Sequence, residues 1–327
     1  MAEIIPLVRL PSNAKVRDMA VSNRRESAYP RPMPDYQIKI VDAFTTRRYA
    51  GNPCGVVTRA EGLTDVQMQA IARELNLSET AFVTPSPRAN FRVRFFTPQR
   101  EIPLAGHPTI ATMHTLVEEG RIDLSGGPAR VVQELNIGVL PVDIALDAER
   151  NVRIVMTQAK PEFLRRLDRN VFAQALGLSP GDMLADVPAQ VVSTGTPQAM
   201  VPVKSLDVLR RLQPNYQHLA DLEELGKYFS VHVFALDAFE PANRAHSRHF
   251  LASQGFEDPV TGSASGGMAA YLWKYGLVRE HHYSVEQGHI MGRPGIVEIE
   301  VDGEGEEPDE VRIAGSAVTV LRGMITV

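Results

Sequence analysis

From Tyr36 the chain reads Y-Q-I-K-I-V-D-A-F, apolar and polar residues alternating with the two-residue period of a half-buried strand. G-N-P-C-G breaks that pattern with two glycines and a proline before V-V-T resumes it. T-D-V-Q-M-Q-A-I-A-R-E-L then changes period, with apolar residues at Val66, Met68, Ala70, Ile71 and Leu75, and Thr64 is placed to cap the amino end. This predicts an amphipathic helix, with Glu79 just past its end. A-F-V-T and F-R-V-R-F-F-T predict the next two strands, and H-P-T-I-A-T-M-H-T-L-V-E-E-G predicts a helix closed by Gly120. Residues 1–35 read differently. Pro30, Pro32 and Pro34 oppose regular pairing and Arg24 and Arg25 add solvated charge, so this stretch is expected to be a flexible extension.

The second half repeats the grammar of the first. F-F-T-P-Q-R-E-I-P-L-A-G-H-P-T-I-A-T-M-H-T-L and H-F-L-A-S-Q-G-F-E-D-P-V-T-G-S-A-S-G-G-M-A-A-Y-L both run strand, acidic turn with proline, glycine, small polar residues, helix. Allowing a gap, Phe96 matches Phe250, Gly106 matches Gly262 and Leu116 matches Leu272. An internal duplication follows as a hypothesis. It would set two similar domains face to face, each presenting a glycine turn to a shared cleft.

Length and composition narrow the class. At 327 residues the chain suits about two domains of ordinary size. A formal net charge of −5 with 22% charged residues gives no electrostatic case for a nucleic-acid partner. No apolar run approaches the roughly 18 residues of a membrane span, and no secretory signal is evident, so a cytoplasmic protein without a membrane partner is expected. Cys54 is the only cysteine, which excludes an intrachain disulfide, a cysteine zinc cage and a pair of catalytic thiols.

Four positions then stand out. Helix starts at Gly106-His107-Pro108-Thr109 and Gly262-Ser263-Ala264-Ser265 would expose unpaired N–H groups and the positive end of the dipole, a fit for a carboxylate or an enolate-like oxyanion. Either turn alone reads equally as an ordinary cap; two in parallel, each beside an ionisable group, point to function. Glu79 lies between Ser78 and Thr80 against an apolar strand, where partial desolvation would raise its proton affinity toward neutral pH. Asp258, held in a turn by Pro259, and His107 are the other candidates, with a turn acid and a cap histidine as their plainer readings. No H-E-x-x-H or nucleotide-phosphate fingerprint occurs, and neither a metal nor a cofactor is expected. The pair His281 and His282 reads as surface, and Arg293 in Q-G-H-I-M-G-R-P-G as the partner of an anion or, more commonly, of a local acid.

These stretches together resemble the phenazine-biosynthesis PhzF-like family, whose members share a duplicated fold with diaminopimelate epimerase. The matching pieces are V-D-A-F-T with G-N-P-C-G-V-V, N-L-S-E-T-A-F-V, F-F-T-P with L-A-G-H-P-T, S-T-G-T-P-Q-A-M-V-P-V, E-D-P-V-T-G-S-A and Q-G-H-I-M-G-R-P-G. They come in family order over residues 36–327. The resemblance implies an α+β fold of two pseudo-duplicated domains, each a mixed β-sheet wrapped around a central helix. Residues 36–130 would form the first domain, 131–309 the second, and the last strands near 310–327 would return to the first. It also implies a cofactor-independent isomerase that moves a proton on a small anionic carboxylate, and a homodimer. By motif, the catalytic residues fall on Glu79, His107 and Asp258, and the substrate contacts on Gly106, Pro108, Thr109, Gly262, Ser263 and Ala264. The epimerase relatives carry a thiol just before the glycine of each turn; here those positions are Ala105 and Thr261, which removes two-thiol racemisation. A one-base lyase or dehydratase, and a binding protein without turnover, remain the alternatives.

Overall fold

The computed structural model describes residues 35–327, so the expected extension lies outside the described residues save for Asp35. In chain order, β1 (Asp35–Ala43), β2 (Asn52–Val57), α1 (Asp65–Leu75), β3 (Glu79–Thr84), β4 (Phe91–Phe96), β5 (Glu101–Ile102), α2 (Gly106–Glu118), β6 (Ala129–Leu135), β7 (Gly138–Leu146) and β8 (Val152–Thr157) make the first run. β9 (Glu162–Leu167) and α3 (Arg169–Ala175) lead into the second. That run comprises β10 (Ala189–Ser193), β11 (Pro197–Pro202), α4 (Leu206–Arg210), α5 (Tyr216–Gly226), β12 (Val231–Ala235), β13 (His246–Leu251), β14 (Phe256–Asp258), α6 (Gly262–Lys274), β15 (His282–Gln287), β16 (Gly295–Glu304) and β17 (Glu307–Gly315). β18 (Ala317–Thr326) closes the fold by pairing antiparallel along β1.

Pairing shows the duplication strand by strand. β1–β2 and β10–β11 are antiparallel, β2–β3 and β11–β12 parallel, β3–β4 and β12–β13 antiparallel, and β4–β6 and β13–β15 parallel. The two runs join through β8 and β17, which pair antiparallel. Side chains repeat as well. Arg94 clamps Glu101 with two bonds of 2.8 Å and lies over Phe96, while Arg248 clamps Glu257 at 2.8 and 2.7 Å and lies over Phe250. The pairs Phe96/Phe250 and Gly106/Gly262, matched on sequence pattern, occupy equivalent places.

α2 and α6 are the central helices, and neither is amphipathic in the usual sense because strands surround them. Ile110, Met113 and Leu116 of α2 and Met268, Tyr271 and Leu272 of α6 are buried in one continuous core. Each such side chain contributes on the order of 1.5–3 kcal/mol. Two buried hydroxyls of α2 bond to their own helix: Thr109 and Thr115 donate to the Ala105 and Ala111 carbonyls at 2.7 and 2.8 Å. α1, by contrast, has one buried face, with Met68 and Ala72 in a separate cluster, and the expected Thr64 cap is completed by Gln67 in a capping box.

One local expectation is corrected. G-N-P-C-G does not interrupt a strand: β2 begins at Asn52 and includes Pro53, Cys54 and Gly55, paired with β1. The break is the preceding turn, where Gly51 sits at φ 59°. Pro53 is tolerated because it falls near the start of the strand.

The start of α6 is packed against its surroundings. A Cβ on Gly262 would lie 2.7 Å from both Phe44 Cζ and Ile313 Cδ1, inside two fully buried side chains. Gly262→Ala is therefore expected to destabilise the protein by about 1–3 kcal/mol through overpacking. Urea denaturation measures it, and an unchanged midpoint would show that Phe44 and Ile313 can move aside.

Candidate active site

α2 and α6 meet end to end. A Cβ on Gly106 would lie 3.8 Å from the Ser263 amide nitrogen, so the first turns of the two helices are in van der Waals range. Neither N-cap residue, Ala105 or Thr261, gives a side-chain acceptor to its own first turn. The leading N–H groups of a helix have no intrahelical partner, and its amino end carries about half a positive charge. Two such ends, uncapped and facing, define a place for an anion.

Glu79 opens β3, opposite Cys54 in the parallel pair with β2. Its side chain keeps 20% exposure, yet Oε2 is buried without a hydrogen-bond partner and lies 3.3 Å from His107 Nε2. Burial, reinforced by the charge of Asp258 and only partly opposed by a hydrogen bond from Ser78, pushes the Glu79 carboxyl up to about 8. Burial pushes His107 down to about 3, against a hydrogen bond to the Pro53 carbonyl. At neutral pH the contact is thus not an ion pair. A neutral His107 that donates its other ring N–H to the Pro53 carbonyl has Nε2 as its lone-pair nitrogen, placed beside a Glu79 carboxyl that burial keeps protonated.

Asp258 ends β14 and is 5% exposed. Its Oδ1 accepts from Asn52 Nδ2 at 2.9 Å and its Oδ2 accepts from the Thr261 hydroxyl. Burial nonetheless outweighs these bonds and raises it to about 6. Asn52 also donates to the Val260 carbonyl at 2.9 Å and accepts from Ser78 Oγ at 3.2 Å. Gln287 completes the frame, accepting from Thr261 N at 3.0 Å and donating to the Asp258 carbonyl at 2.7 Å. A polar chain therefore runs from Ser78, beside Glu79, through Asn52 to Asp258, Thr261 and Gln287. On the far side, Gln198 Nε2 donates to Ser263 Oγ and Thr194 Oγ1 to the Ser263 carbonyl, both at 3.4 Å.

The structure brings together Glu79, His107, Asp258, Gly106, Gly262 and Ser263. Pro108 and Ala264 are buried within the first turns of their helices, and the Thr109 hydroxyl is committed to the Ala105 carbonyl. Asn52, Thr261, Gln287, Gln198 and Thr194 were not singled out by sequence. Asn52 lies in G-N-P-C-G, where a short polar side chain between glycine and proline before a strand is the signal that marks it. Cys54 itself is fully buried, its thiol pushed well up by burial and then by the Glu79 charge. Arg293 pairs with Asp42 at 2.7 Å and donates to the Gly51 and Ala50 carbonyls, so it is tied to a local acid.

Comparison with known proteins agrees in family and fold. Residues 41–323 match the phenazine biosynthesis-like protein family. An uncharacterized isomerase of Clostridium acetobutylicum is 40% identical over 297 residues, covering 88% of this chain and 97% of that protein. The trans-2,3-dihydro-3-hydroxyanthranilate isomerase of Pseudomonas chlororaphis is 32% identical over 291 residues, covering 88% and 98%. The crystal structure of the Bacillus anthracis phenazine biosynthesis protein of the PhzF family superposes with a TM-score of 0.83 at 35% identity, covering 90% of this chain and 100% of that one.

A carboxyl raised by folding makes stability depend on pH in a fixed direction. The contribution of Glu79 is fully present below its ordinary value of 4.5 and is lost as pH climbs through about 8, because the folded site binds the proton more tightly than the unfolded chain. Glu79→Gln removes that slope. The variant should therefore gain stability over wild type between pH 5 and pH 9 in urea melts, and an equal difference at both pH values would mean that the carboxyl is not held protonated.

Proposed function

Since the chain belongs to the phenazine biosynthesis-like protein family, we propose that it is a cofactor-independent isomerase in which Glu79 takes a proton from one carbon of a small carboxylate and returns it at another. One observation carries the reading. A buried, unpartnered carboxyl oxygen with a proton affinity near neutrality lies beside a pair of uncapped helix ends whose N–H groups favour an anion.

The chemistry follows from where charge moves. A C–H bond beside a carboxylate yields its proton only when the charge left behind meets donors already in place. The N–H groups of Gly106, His107, Gly262 and Ser263 supply those donors, and the Ser263 hydroxyl adds another. Raising Glu79 from 4.5 to about 8 makes its ionised form a stronger base than an ordinary carboxylate. After abstraction Glu79 is the neutral acid that burial favours, with His107 Nε2 accepting from it until the proton is delivered to the second carbon. Asp258 orients the substrate and, held by Asn52 and Thr261, keeps its own geometry fixed.

One base is also what the duplication leaves. Gly55 faces Thr80 across β2–β3 as Ala199 faces Val231 across β11–β12, which puts Ser230 at the place equivalent to Glu79. A racemase needs a base on each face of the carbon, whereas a 1,3-transfer needs only one that swings between two carbons. The Pseudomonas chlororaphis relative is named for isomerising a cyclic, unsaturated carboxylate. That class, small and anionic, is the one to screen here.

Proton NMR in D2O with a panel of cyclic and unsaturated carboxylates tests the assignment. Wild type should exchange deuterium into one carbon of a substrate, and Glu79→Gln should lose at least about 1,000-fold in rate while binding within a few-fold. Unchanged exchange in the variant would remove Glu79 from the reaction; loss of water in place of exchange would make the enzyme a lyase. Because the base must be ionised, kcat/KM should rise with pH and level off above about 8. Cys54→Ser should keep most of the activity.

A further inference from the structure

On the other side of β15 from the active site, a second group of titratable side chains converges that the isomerase reading does not use. Gln287 reaches toward Asp258 and Thr261, and its neighbour Glu286 points the opposite way, as successive strand residues do. The Glu286 carboxylate is fully buried. Its Oε1 accepts from Glu240 N at 2.7 Å and Asn243 Nδ2 at 2.8 Å, and its Oε2 accepts from Phe239 N at 2.9 Å. His246 Nδ1 lies 3.1 Å from Oε2, a hydrogen bond whose proton a bound cation would displace, and His289 Nδ1 lies 3.9 Å from the same oxygen.

His289 Nδ1 is the informative atom. It is buried and has no hydrogen-bond partner, although its ring is fixed by stacking on Phe239, with centroids 4.9 Å apart and planes 11° from parallel. Phe239 also holds His246 edge-on at 5.0 Å. Both imidazoles are thus set in place around a carboxylate that three other donors orient. An orphaned nitrogen in so rigid a frame lacks its partner.

We propose that His246, Glu286 and His289 form a binding site for a divalent transition-metal ion of the zinc type, outside the catalytic cleft. Ligand atoms of one donor per residue lie within 4.8 Å of one another, the one such trio of His, Cys, Asp or Glu among the described residues. Ligands about 2.0–2.1 Å from a tetrahedral zinc are separated from one another by about 3.4 Å, and the 3.1 and 3.9 Å spacings bracket that value. Two imidazole nitrogens with one carboxylate oxygen favour zinc, cobalt or nickel over magnesium or calcium, which prefer oxygen cages. His289 keeps 17% side-chain exposure, so a water can reach the fourth position. The hydrogen bonds from Asn243, Glu240 and Phe239 are the outer support that such sites use to aim a carboxylate.

No zinc motif marks the trio in sequence, because His246 and Glu286 are 40 positions apart and are joined only by the parallel register of β13 and β15. A bound ion would pin the strand end from which Gln287 holds Asp258. Its effect is expected on stability, with no part in the proton transfer.

The test uses the full chain, stripped with a chelator and then equilibrated with Zn2+ or Co2+. Wild type should retain about one zinc ion after gel filtration, show the visible absorption of four-coordinate cobalt, and melt at a higher temperature with zinc than with magnesium. His289→Phe preserves the stack on Phe239 while removing the ligand, and should bind zinc at least about tenfold more weakly. His289→Gln serves as the second variant should the phenylalanine form fold poorly, with circular dichroism as the check. Two results overturn the proposal: no zinc retained by wild type, or equal retention by wild type and the His289 variants. Either would leave the three residues as a hydrogen-bonded and aromatic cluster.

Discussion

Two helix amino ends facing each other at close range are the constraint on which the rest depends. Like partial charges brought together in a buried place are unfavourable, and neither Ala105 nor Thr261 relieves them with a capping side chain. The scaffold tolerates the arrangement because α2 and α6 are fixed by apolar packing on every side and not by their termini. An anion beside the two ends would turn the unfavourable contact into a favourable one.

The duplication supplies this frame symmetrically, and the chemistry is put on it asymmetrically. Arg94–Glu101 and Arg248–Glu257 are the same clamp twice, fixing the turn before each helix. At the reacting positions the halves diverge. His107 stands where the second helix has Ser263, and Asp258 where the first half, in register with Glu101 and Glu257, has Ile102. Glu79 stands opposite Ser230. Each half thus contributes one carboxyl group at a place that the other half leaves without one, the asymmetry that the proposed one-base reaction requires.

Much of this was legible in the order of residues. Alternation located β4 and the 3.6-residue period α1, because each buries one set of apolar positions, whereas β3 and α2, buried at consecutive positions, were marked by their apolar runs and the residues that bound them. The glycine turns exposed the repeat, because Gly106 and Gly262 open the two central helices at matching places after matching strands. What was not legible depended on contacts distant in sequence. Asn52 joins Ser78 to Asp258, 206 positions away, and no local pattern distinguishes that asparagine from one in an ordinary turn. The break assigned to G-N-P-C-G failed for a related reason: proline at the start of a paired strand reads locally like proline in a loop. Glu286 was hidden because a buried acid in an alternating strand looks like a solvated one until its partners are known.

In the proposed reaction a resting proton on Glu79 would let the site be both stable and reactive. An ionised carboxylate beside Asp258 in a desolvated place is costly, so at neutral pH the proton stays on Glu79, beside the neutral His107. That same cost would drive abstraction once Glu79 is ionised. Taking a proton from carbon would neutralise the poorly solvated carboxylate and move its negative charge onto the substrate, next to the uncapped ends of α2 and α6. Charge would pass from a poorly solvated position to a better one. Burial of Glu79 and exposure of the helix N–H groups are in this sense one device, since neither would lower the barrier without the other.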